Sequence, residues 1–231
     1  MTLDFIETPS PNQDERALPV SMLVMHYTGM LDGASAIARL ADPEAKVSAH
    51  YVVAEDGQIV RMVHEDKRAW HAGKSYWRGV SDINSASIGI EIVNPGHAHG
   101  YRNFADPQIE SVLQLTKQIV TRHKITRGNV VGHSDIAPAR KEDPGELFPW
   151  GLLARHRLAL PRPTKNLMDP LWTDGGFLLA LERFGYSITD PVAAVRAFQR
   201  RFRPELLDGV IDGECRAILL ALLLPKPTGD G

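Results

Sequence analysis

Residues 87–93 read SIGIEIV, a short apolar run that predicts a buried β-strand. MLVMHY (22–27) and NVVGHS (129–134) are runs of the same kind. Residues 107–124 open with proline and place apolar side chains at helical spacing, which predicts a helix between two of these strands. Strands interspersed with helices indicate an α/β domain with a mixed central sheet flanked by helices.

Three further segments extend this pattern. Residues 34–41 (ASAIARLA) predict a short helix. The segments HYVVAE and QIVRMV flank Asp56-Gly57, and this dipeptide between two apolar runs predicts a β-hairpin. Residues 1–19 are polar and contain proline, which indicates an extended lead-in. We expect the α/β domain to cover residues 1–160.

The last part of the chain has a different composition. Residues 161–170 (PRPTKNLMDP) carry three prolines and no apolar period, which is typical of a linker. Beyond it, three helices are predicted by GGFLLALERFGY, DPVAAVRAFQRRF and DGECRAILLALL. We therefore expect a small three-helix domain at residues 171–231, with a marginal core that leans on the first domain. The terminal PKPTGDG (225–231) is expected to fray.

The composition excludes several classes of protein. Hydrophobic residues make up 43% of the 231 residues and charged residues 23%, as in ordinary globular proteins. The net charge of -2 gives no sign of a nucleic-acid partner. No apolar run approaches the ~20 residues of a membrane span. We expect a monomer.

Two features predict the compartment. The single cysteine, Cys215, permits no internal disulfide and fits a reducing compartment. The first residues, MTLDFIETPSPNQDER, contain neither the basic nor the apolar segment of an export signal. We therefore expect a cytoplasmic protein. If a leader precedes the printed sequence, the periplasm or the cell envelope is the alternative.

Two histidines stand out among nine because each ends an apolar run. His26 closes MLVMH and His133 closes NVVGH, so both rings are expected to project into the cleft above a sheet. The loop after His133 holds the carboxylates Asp135 and Asp143 together with Lys141. Two imidazoles and one carboxylate with an open fourth position are the ligands of a catalytic zinc. The structural alternative is a pair of hydrogen-bonded core histidines.

Glu91 lies near the middle of the apolar run at 87–93. A glutamate there costs desolvation unless it is paired or functional. Gly89 is two residues earlier, on the same face, and leaves room beside it. The functional interpretation is a general base directed at a water molecule. The structural alternative is a glutamate on the solvent face of an edge strand.

At this point a family pattern is visible. GHSDIAPARKEDPGELFPW (132–150) strongly resembles the C-terminal signature of the Amidase_2 family of N-acetylmuramoyl-L-alanine amidases, which also includes the peptidoglycan recognition proteins. Four other matching pieces occur in family order: VMHYTG, VSAHYVVAEDGQIV, RAWHAGKSYWRG and NSASIGIEIVNPG. The resemblance spans residues 22–150. It implies a Zn²⁺-dependent hydrolase that cuts the amide bond between N-acetylmuramic acid and L-alanine in peptidoglycan or its muropeptide fragments.

The resemblance also assigns roles to residues. It implies that His26, His133 and Asp143 are the zinc ligands. Glu91 matches the acid/base glutamate of the family, and Lys141 matches the basic residue that faces the developing oxyanion. Three more residues lie in motifs that line the substrate cleft: His50, His71 and Trp77.

This sequence departs from the family pattern at one position, and the departure makes Glu91 more important for catalysis. Members of the family that use a tyrosine as a second catalytic group carry it just before the HY of the hairpin strand. Ala49 occupies that position here. The proton transfers are therefore expected to depend on Glu91.

The C-terminal helices have a resemblance of their own. AVRAFQRRFRPELLDGVIDGECRAIL resembles the peptidoglycan-binding domain 1 module, roughly over residues 165–224. The alternative is a generic helical cap on the catalytic domain. Four arginines are expected to form a solvated face or a basic patch: Arg196, Arg200, Arg201 and Arg203.

Three functions compete on this sequence. The first is the hydrolase, the second a sensor of wall fragments that keeps the fold without catalysis, and the third a structural wall anchor. A sensor is free to lose a metal ligand or the base, and none is lost here. The full set of catalytic side chains therefore favours the hydrolase.

Overall fold

The computed structural model describes residues 3–165 and 167–224. Its strands are β1 (Ile6–Glu7), β2 (Gln13–Glu15), β3 (Met22–Tyr27), β4 (Tyr51–Val53), β5 (Ile59–Arg61), β6 (Lys67–Ala69), β7 (Ser87–Ile92) and β8 (Val130–Gly132). Six of them form one sheet in the order β1-β5-β4-β7-β3-β8, and β2 pairs with β6 in a second sheet.

Eight α-helices accompany the strands in the described part of the chain. They are α1 (Gly33–Ala41), α2 (Ile83–Ala86), α3 (Asp106–His123), α4 (His133–Ile136), α5 (Trp150–Arg155), α6 (Asp174–Phe184), α7 (Pro191–Phe202) and α8 (Gly213–Leu223). No helix within residues 3–165 or 167–224 is long and apolar enough to cross a membrane.

The sheet confirms the predicted mixed α/β fold. β7 lies at its centre, parallel to both β3 and β4, and β8 is parallel to β3 on the other side. β4 and β5 form the antiparallel hairpin that Asp56-Gly57 predicts. The lead-in is more regular than expected, because β1 pairs in parallel with β5 and β2 pairs with β6.

Alternate side chains of β3 point to opposite faces of the sheet and pack into two separate hydrophobic cores. Leu23 and Met25 pack with the isoleucines of β7 and the apolar face of α3. Met22 and Val24 point the other way, into a core shared with the C-terminal helices. His26 continues the second series, so its ring leaves the sheet on the side of the C-terminal helices.

The three predicted C-terminal helices are present as α6, α7 and α8. Phe177, Phe198 and Ile218 are fully buried and pack with Trp77 and Val131 of the first part of the chain in one apolar cluster. The helices therefore lean on the α/β domain, as expected. The division at residues 161–170 stays a prediction, and the tail expected to fray lies outside the described residues.

The arginines on and just after α7 differ from expectation. Arg200, Arg201 and Arg203 are buried, and only Arg196 of the four is exposed. The Cζ atom of Arg201 lies 3.1 Å from the ring centroid of Trp150. The expected solvated face or basic patch is therefore wrong for three of the four, because ring, carbonyl and carboxylate partners draw these guanidinium groups inward.

Candidate active site

Three parallel strands carry the candidate residues to one edge of the sheet. In the β3–β7 register His26 is paired with Glu91. β8 ends at Gly132, and His133 begins α4 directly afterwards. Because the carboxyl ends of parallel strands meet at the same edge, these three side chains converge as predicted.

The loop after α4 brings in Asp143. Its Oδ2 atom lies 3.0 Å from Nδ1 of His26 and 3.1 Å from Nδ1 of His133. The two Nδ1 atoms are 3.0 Å apart. All three side chains are buried, and the amide of Ser134 donates to the carbonyl of Asp143 at 2.8 Å, which ties the loop to α4.

This donor set is of the kind that holds a metal ion. The ring Nε2 of His133 lies 3.1 Å from the carbonyl oxygen of Ala72, so it carries the proton and leaves the Nδ1 lone pair facing Asp143. Burial, together with His133, lowers the pKa of His26 to about 4, which keeps this imidazole neutral as a ligand must be. The two Nδ1 atoms and Oδ2 of Asp143 lie 3.0–3.1 Å from one another, and a cation stabilises such a set of lone pairs.

Asp143 is held in the charged form that a ligand needs. Burial raises the pKa of its carboxyl, but in the metal-free site the positive charge and hydrogen bonds of the His133 and His26 rings, when these are protonated, outweigh burial and lower that pKa below its ordinary value. Of the two carboxylates that the loop offers, Asp143 is the one at the histidines. Asp135 instead accepts from the amide of Gly132 at 2.8 Å and from Tyr186.

The triad opens onto a cleft of about 390 Å³. His133, Asp143, Glu91 and Lys141 all lie on its wall. The wall also includes Tyr27, Thr28, Gly29, Met30, Ala36, Arg39, Leu40, Val47, Ser48, Trp70, His71, Arg140 and Glu142. A substrate in this cleft therefore reaches the triad, the carboxylate and the ammonium group together.

Glu91 is not on an edge strand, because β7 has neighbours on both sides. This excludes the structural alternative. Its Oε2 atom is buried and makes no hydrogen bond within residues 3–165 and 167–224. Burial and the negative charge of Asp143 raise the pKa of Glu91 well above its usual range, against the opposing charge of Lys141. A carboxyl with a raised pKa is suited to accept and return a proton near neutral pH.

The three predicted substrate-binding residues do not lie together. His71 lines the cleft. His50 is fully buried behind it, where its Nδ1 accepts from the amide of Gly89 at 2.9 Å. Trp77 is 2% exposed, packs edge-on against Tyr186 and lies outside the cleft. We therefore assign His50 and Trp77 to packing, because neither side chain has a surface on the cleft.

Sequence reasoning missed several cleft residues. Tyr27 and Arg39 line it. Tyr27 lies in the motif VMHYTG and Arg39 in the helix predicted at 34–41, but neither residue was given a role. Arg140 is within the matched loop and donates to the carbonyls of Ala72 and Lys74, at 3.1 and 2.5 Å. Because Arg140 directly precedes Lys141 in the sequence, its position could have indicated that it lies near the cleft.

Comparisons with known proteins agree with this geometry. Residues 16–146 match the family model described as N-acetylmuramoyl-L-alanine amidase. The chain is 38% identical to the N-acetylmuramoyl-L-alanine amidase AmiD of Escherichia coli over 239 residues, covering 91% of this chain and 85% of that protein. It is 37% identical to the 1,6-anhydro-N-acetylmuramyl-L-alanine amidase AmpD of Citrobacter freundii, over 61% of this chain and 71% of that protein.

Solved structures show the same similarity. AmiD of E. coli, in complex with anhydro-N-acetylmuramic acid-L-Ala-D-γ-Glu-L-Lys, superposes with a TM-score of 0.81 at 36% identity and covers 91% of each chain. AMPDH3 of Pseudomonas aeruginosa, in complex with an anhydromuramic pentapeptide, superposes with a TM-score of 0.79 at 34% identity, over 87% of this chain and 90% of that one. Coverage of this extent includes the C-terminal helices as well as the α/β domain.

Proposed function

This chain belongs to the Amidase_2 family of N-acetylmuramoyl-L-alanine amidases, and on that premise we propose how its cleft carries out the reaction. It is a hydrolase that cleaves the amide bond between N-acetylmuramic acid and L-alanine in peptidoglycan or its muropeptide fragments. The observation that carries the proposal is the buried His–His–Asp triad with a glutamate and a lysine on the same cleft wall.

The metal of the site is proposed to be zinc, held by His26, His133 and Asp143. Zinc held by these residues would supply a positive charge that polarises the scissile carbonyl and lowers the pKa of the attacking water toward neutrality. Nitrogen and carboxylate donors with one side open to the cleft are the ligand set of catalytic rather than structural zinc sites.

Glu91 is proposed to be the general base and then the general acid. Its carboxylate takes the proton of the attacking water and returns it to the departing alanine amine. The unpartnered, buried Oε2 supports this role, since a structural glutamate in a sheet centre would have a fixed donor. Lys141 supplies positive charge on the cleft wall for the oxyanion that develops on the carbonyl oxygen.

The substrate class is proposed to be soluble anhydromuramyl peptides. AmiD and AMPDH3 both superpose over most of this chain, and both were solved with ligands of this class. The test compares kcat/KM on an anhydromuramyl tripeptide with the rate of release from insoluble peptidoglycan. A preference for the insoluble polymer would contradict the proposal.

Residues 171–231 are proposed to form a peptidoglycan-binding module as well as a structural support. Because their buried face is shared with the α/β domain, removal of residues 165–231 would expose that apolar cluster and confound binding with folding. Arg196→Glu changes only an exposed side chain of α7. Weaker binding to insoluble peptidoglycan with unchanged cleavage of a small muropeptide supports the module; unchanged binding supports a cap alone.

The cytoplasmic location and the monomeric state stay predictions. Cell fractionation of the full-length gene product tests the first, and partition with periplasmic or membrane markers would contradict it. Light scattering on the purified protein tests the second.

The proposed amidase activity is tested in assays with and without a chelator. We expect release of an L-Ala-headed peptide from a muropeptide in the zinc-loaded protein, loss of release on chelation and recovery on addition of zinc. Binding of the muropeptide without release in the zinc-loaded protein would favour a sensor.

A further inference from the structure

Three hydrogen bonds in series begin at Nε2 of His26, the ring nitrogen that faces away from the other two members of the triad. Nε2 of His26 lies 3.0 Å from Nδ1 of His71. Nε2 of His71 lies 3.2 Å from the hydroxyl of Ser87, and that hydroxyl donates to the carbonyl oxygen of Ile83 at 2.5 Å. Every side chain in this series is buried.

The carbonyl at the far end fixes the direction of every bond in the series. A carbonyl oxygen only accepts, so the hydroxyl proton of Ser87 is committed to Ile83. The oxygen of Ser87 must then accept the proton on Nε2 of His71. A neutral imidazole has one ring proton, so Nδ1 of His71 accepts from Nε2–H of His26. Nδ1 of His26 is thereby left as a bare lone pair facing Asp143.

The ring of His71 occupies space that one strand leaves open for it. A Cβ atom at Gly89 would lie 2.6 Å from Cγ of His71, closer than side chains pack. Gly89 and Ser87 are alternate residues of β7 and share the face that carries Glu91. One strand face therefore accommodates the ring, anchors its far nitrogen and presents the catalytic carboxylate.

We propose that His71 is a positioning residue for the metal centre, which holds His26 in the Nε2–H tautomer and in the orientation that turns Nδ1 toward the metal, with Ser87 as its anchor. The proposal rests on the proposed zinc site. His133 is held in the same tautomer by a single hydrogen bond, because its Nε2 donates directly to the carbonyl of Ala72. The two ligands thus reach the same tautomer by different routes.

The test is zinc affinity of the metal-free protein, measured by competition with a chromophoric chelator. His71→Phe keeps a planar ring and removes both bonds, and we expect zinc to bind about 10–100-fold more weakly, the usual effect of losing an outer-shell partner. His71→Gln retains an acceptor and a donor, and we expect it to recover much of the affinity. The absorption spectrum of the cobalt-substituted forms reports whether the ligand set is intact.

A pair of serine variants separates positioning from general packing. Ser87→Ala breaks the far end of the series, and we expect a several-fold loss of zinc affinity in the same direction. Ser85→Ala is the matched control, because Ser85 is equally buried, lies in α2 two residues before Ser87 and has no bond to His71. We expect it to bind zinc as the parent does. If His71→Phe does not fold, the comparison of Ser87→Ala with Ser85→Ala decides the question.

The outcomes distinguish this proposal from the proposed function. Metal-free His71→Phe and Ser87→Ala that melt as the parent does and bind zinc with its affinity would overturn the role of His71 and leave the zinc site intact. A parent protein that binds no zinc would overturn the metal site itself. Loss of affinity in His71→Phe with recovery in His71→Gln supports the proposal.

Discussion

The substitution Tyr186→Phe tests how the C-terminal part of the chain supports the catalytic loop. The hydroxyl of Tyr186 donates to Oδ1 of Asp135 at 2.6 Å, and both side chains are buried. Asp135 lies in α4, two residues after His133, and its other oxygen accepts from the amide of Gly132. One hydroxyl from outside the α/β domain therefore fixes the short helix that begins with a proposed metal ligand.

The expected loss in free energy of unfolding follows from the buried carboxylate oxygen that the substitution leaves without a donor. Phenylalanine keeps the ring and its packing, but Oδ1 of Asp135 loses its donor in a buried position. A hydrogen bond to a charged group contributes about 1.5–3 kcal/mol, so we expect the free energy of unfolding to fall by about 2 kcal/mol. For a chain of this size that corresponds to a fall in Tm of about 4–8 °C. Because α4 is loosened, zinc affinity should also fall, by less than about 10-fold.

The assay is urea unfolding of the metal-free protein, followed by zinc titration of the same samples. Tyr51→Phe is the matched control, since Tyr51 is also buried and donates to a carboxylate, Glu65, at 2.8 Å. Glu65 keeps donors from Arg122 and His123, so the control should lose less stability and no zinc affinity. A loss below about 0.5 kcal/mol in Tyr186→Phe, under the usual value for a charged hydrogen bond, would refute this account of α4.

Three further predictions concern the site and the acid stability of the fold. Glu91→Gln should keep the zinc content and the melting temperature while turnover falls by about 10²–10⁴-fold, the usual contribution of general acid–base catalysis; near-normal turnover would transfer the role to another group. His133→Ala should lose its zinc in metal analysis, because one of three protein ligands is gone, and full zinc occupancy would show that the ligand set is different. Burial raises the pKa of Glu65, but donors from Arg122, His123 and Tyr51 outweigh it and hold that pKa below the usual value. The ionised carboxylate therefore stabilises the fold above the unfolded-state pKa near 4.5, and this contribution disappears as the pH falls through the lower folded-state pKa. In urea unfolding, Glu65→Gln should be less stable than the parent at pH 7 and approach it on acidification; a constant difference between pH 7 and pH 3 would contradict the pairing.

The elements of this fold are predictable because each has a local pattern. The apolar runs at 22–27 and 87–93 become β3 and β7, and the segment 107–124 becomes α3 with its ends shifted by one residue. Helix periodicity and proline at a helix start are properties of neighbouring residues, so one sequence is enough to find them.

A local sequence pattern does not show which distant residues pack against each face of a helix or strand. Arg201 was expected in a charged, solvated row, yet it is buried over Trp150, which is 51 residues earlier in the chain. Trp77 lies in a motif next to the cleft but turns toward Tyr186 of the C-terminal part. Both differences have one cause, because contacts between the C-terminal helices and the first domain decide which side chains of either part are covered.

The site residues were easier to find than these contacts because a strand has only two faces. On β7 the isoleucines at 88, 90 and 92 fill the core against α3. The alternate positions hold Ser87, Gly89 and Glu91, which anchor the His71 ring, leave space for it and present a carboxylate to the cleft. A slip of one residue in register would put three isoleucines at the proposed metal site and three small or polar side chains in the core. Core packing and catalytic geometry are therefore fixed by the same register, and for that reason a glutamate inside an apolar run indicates function.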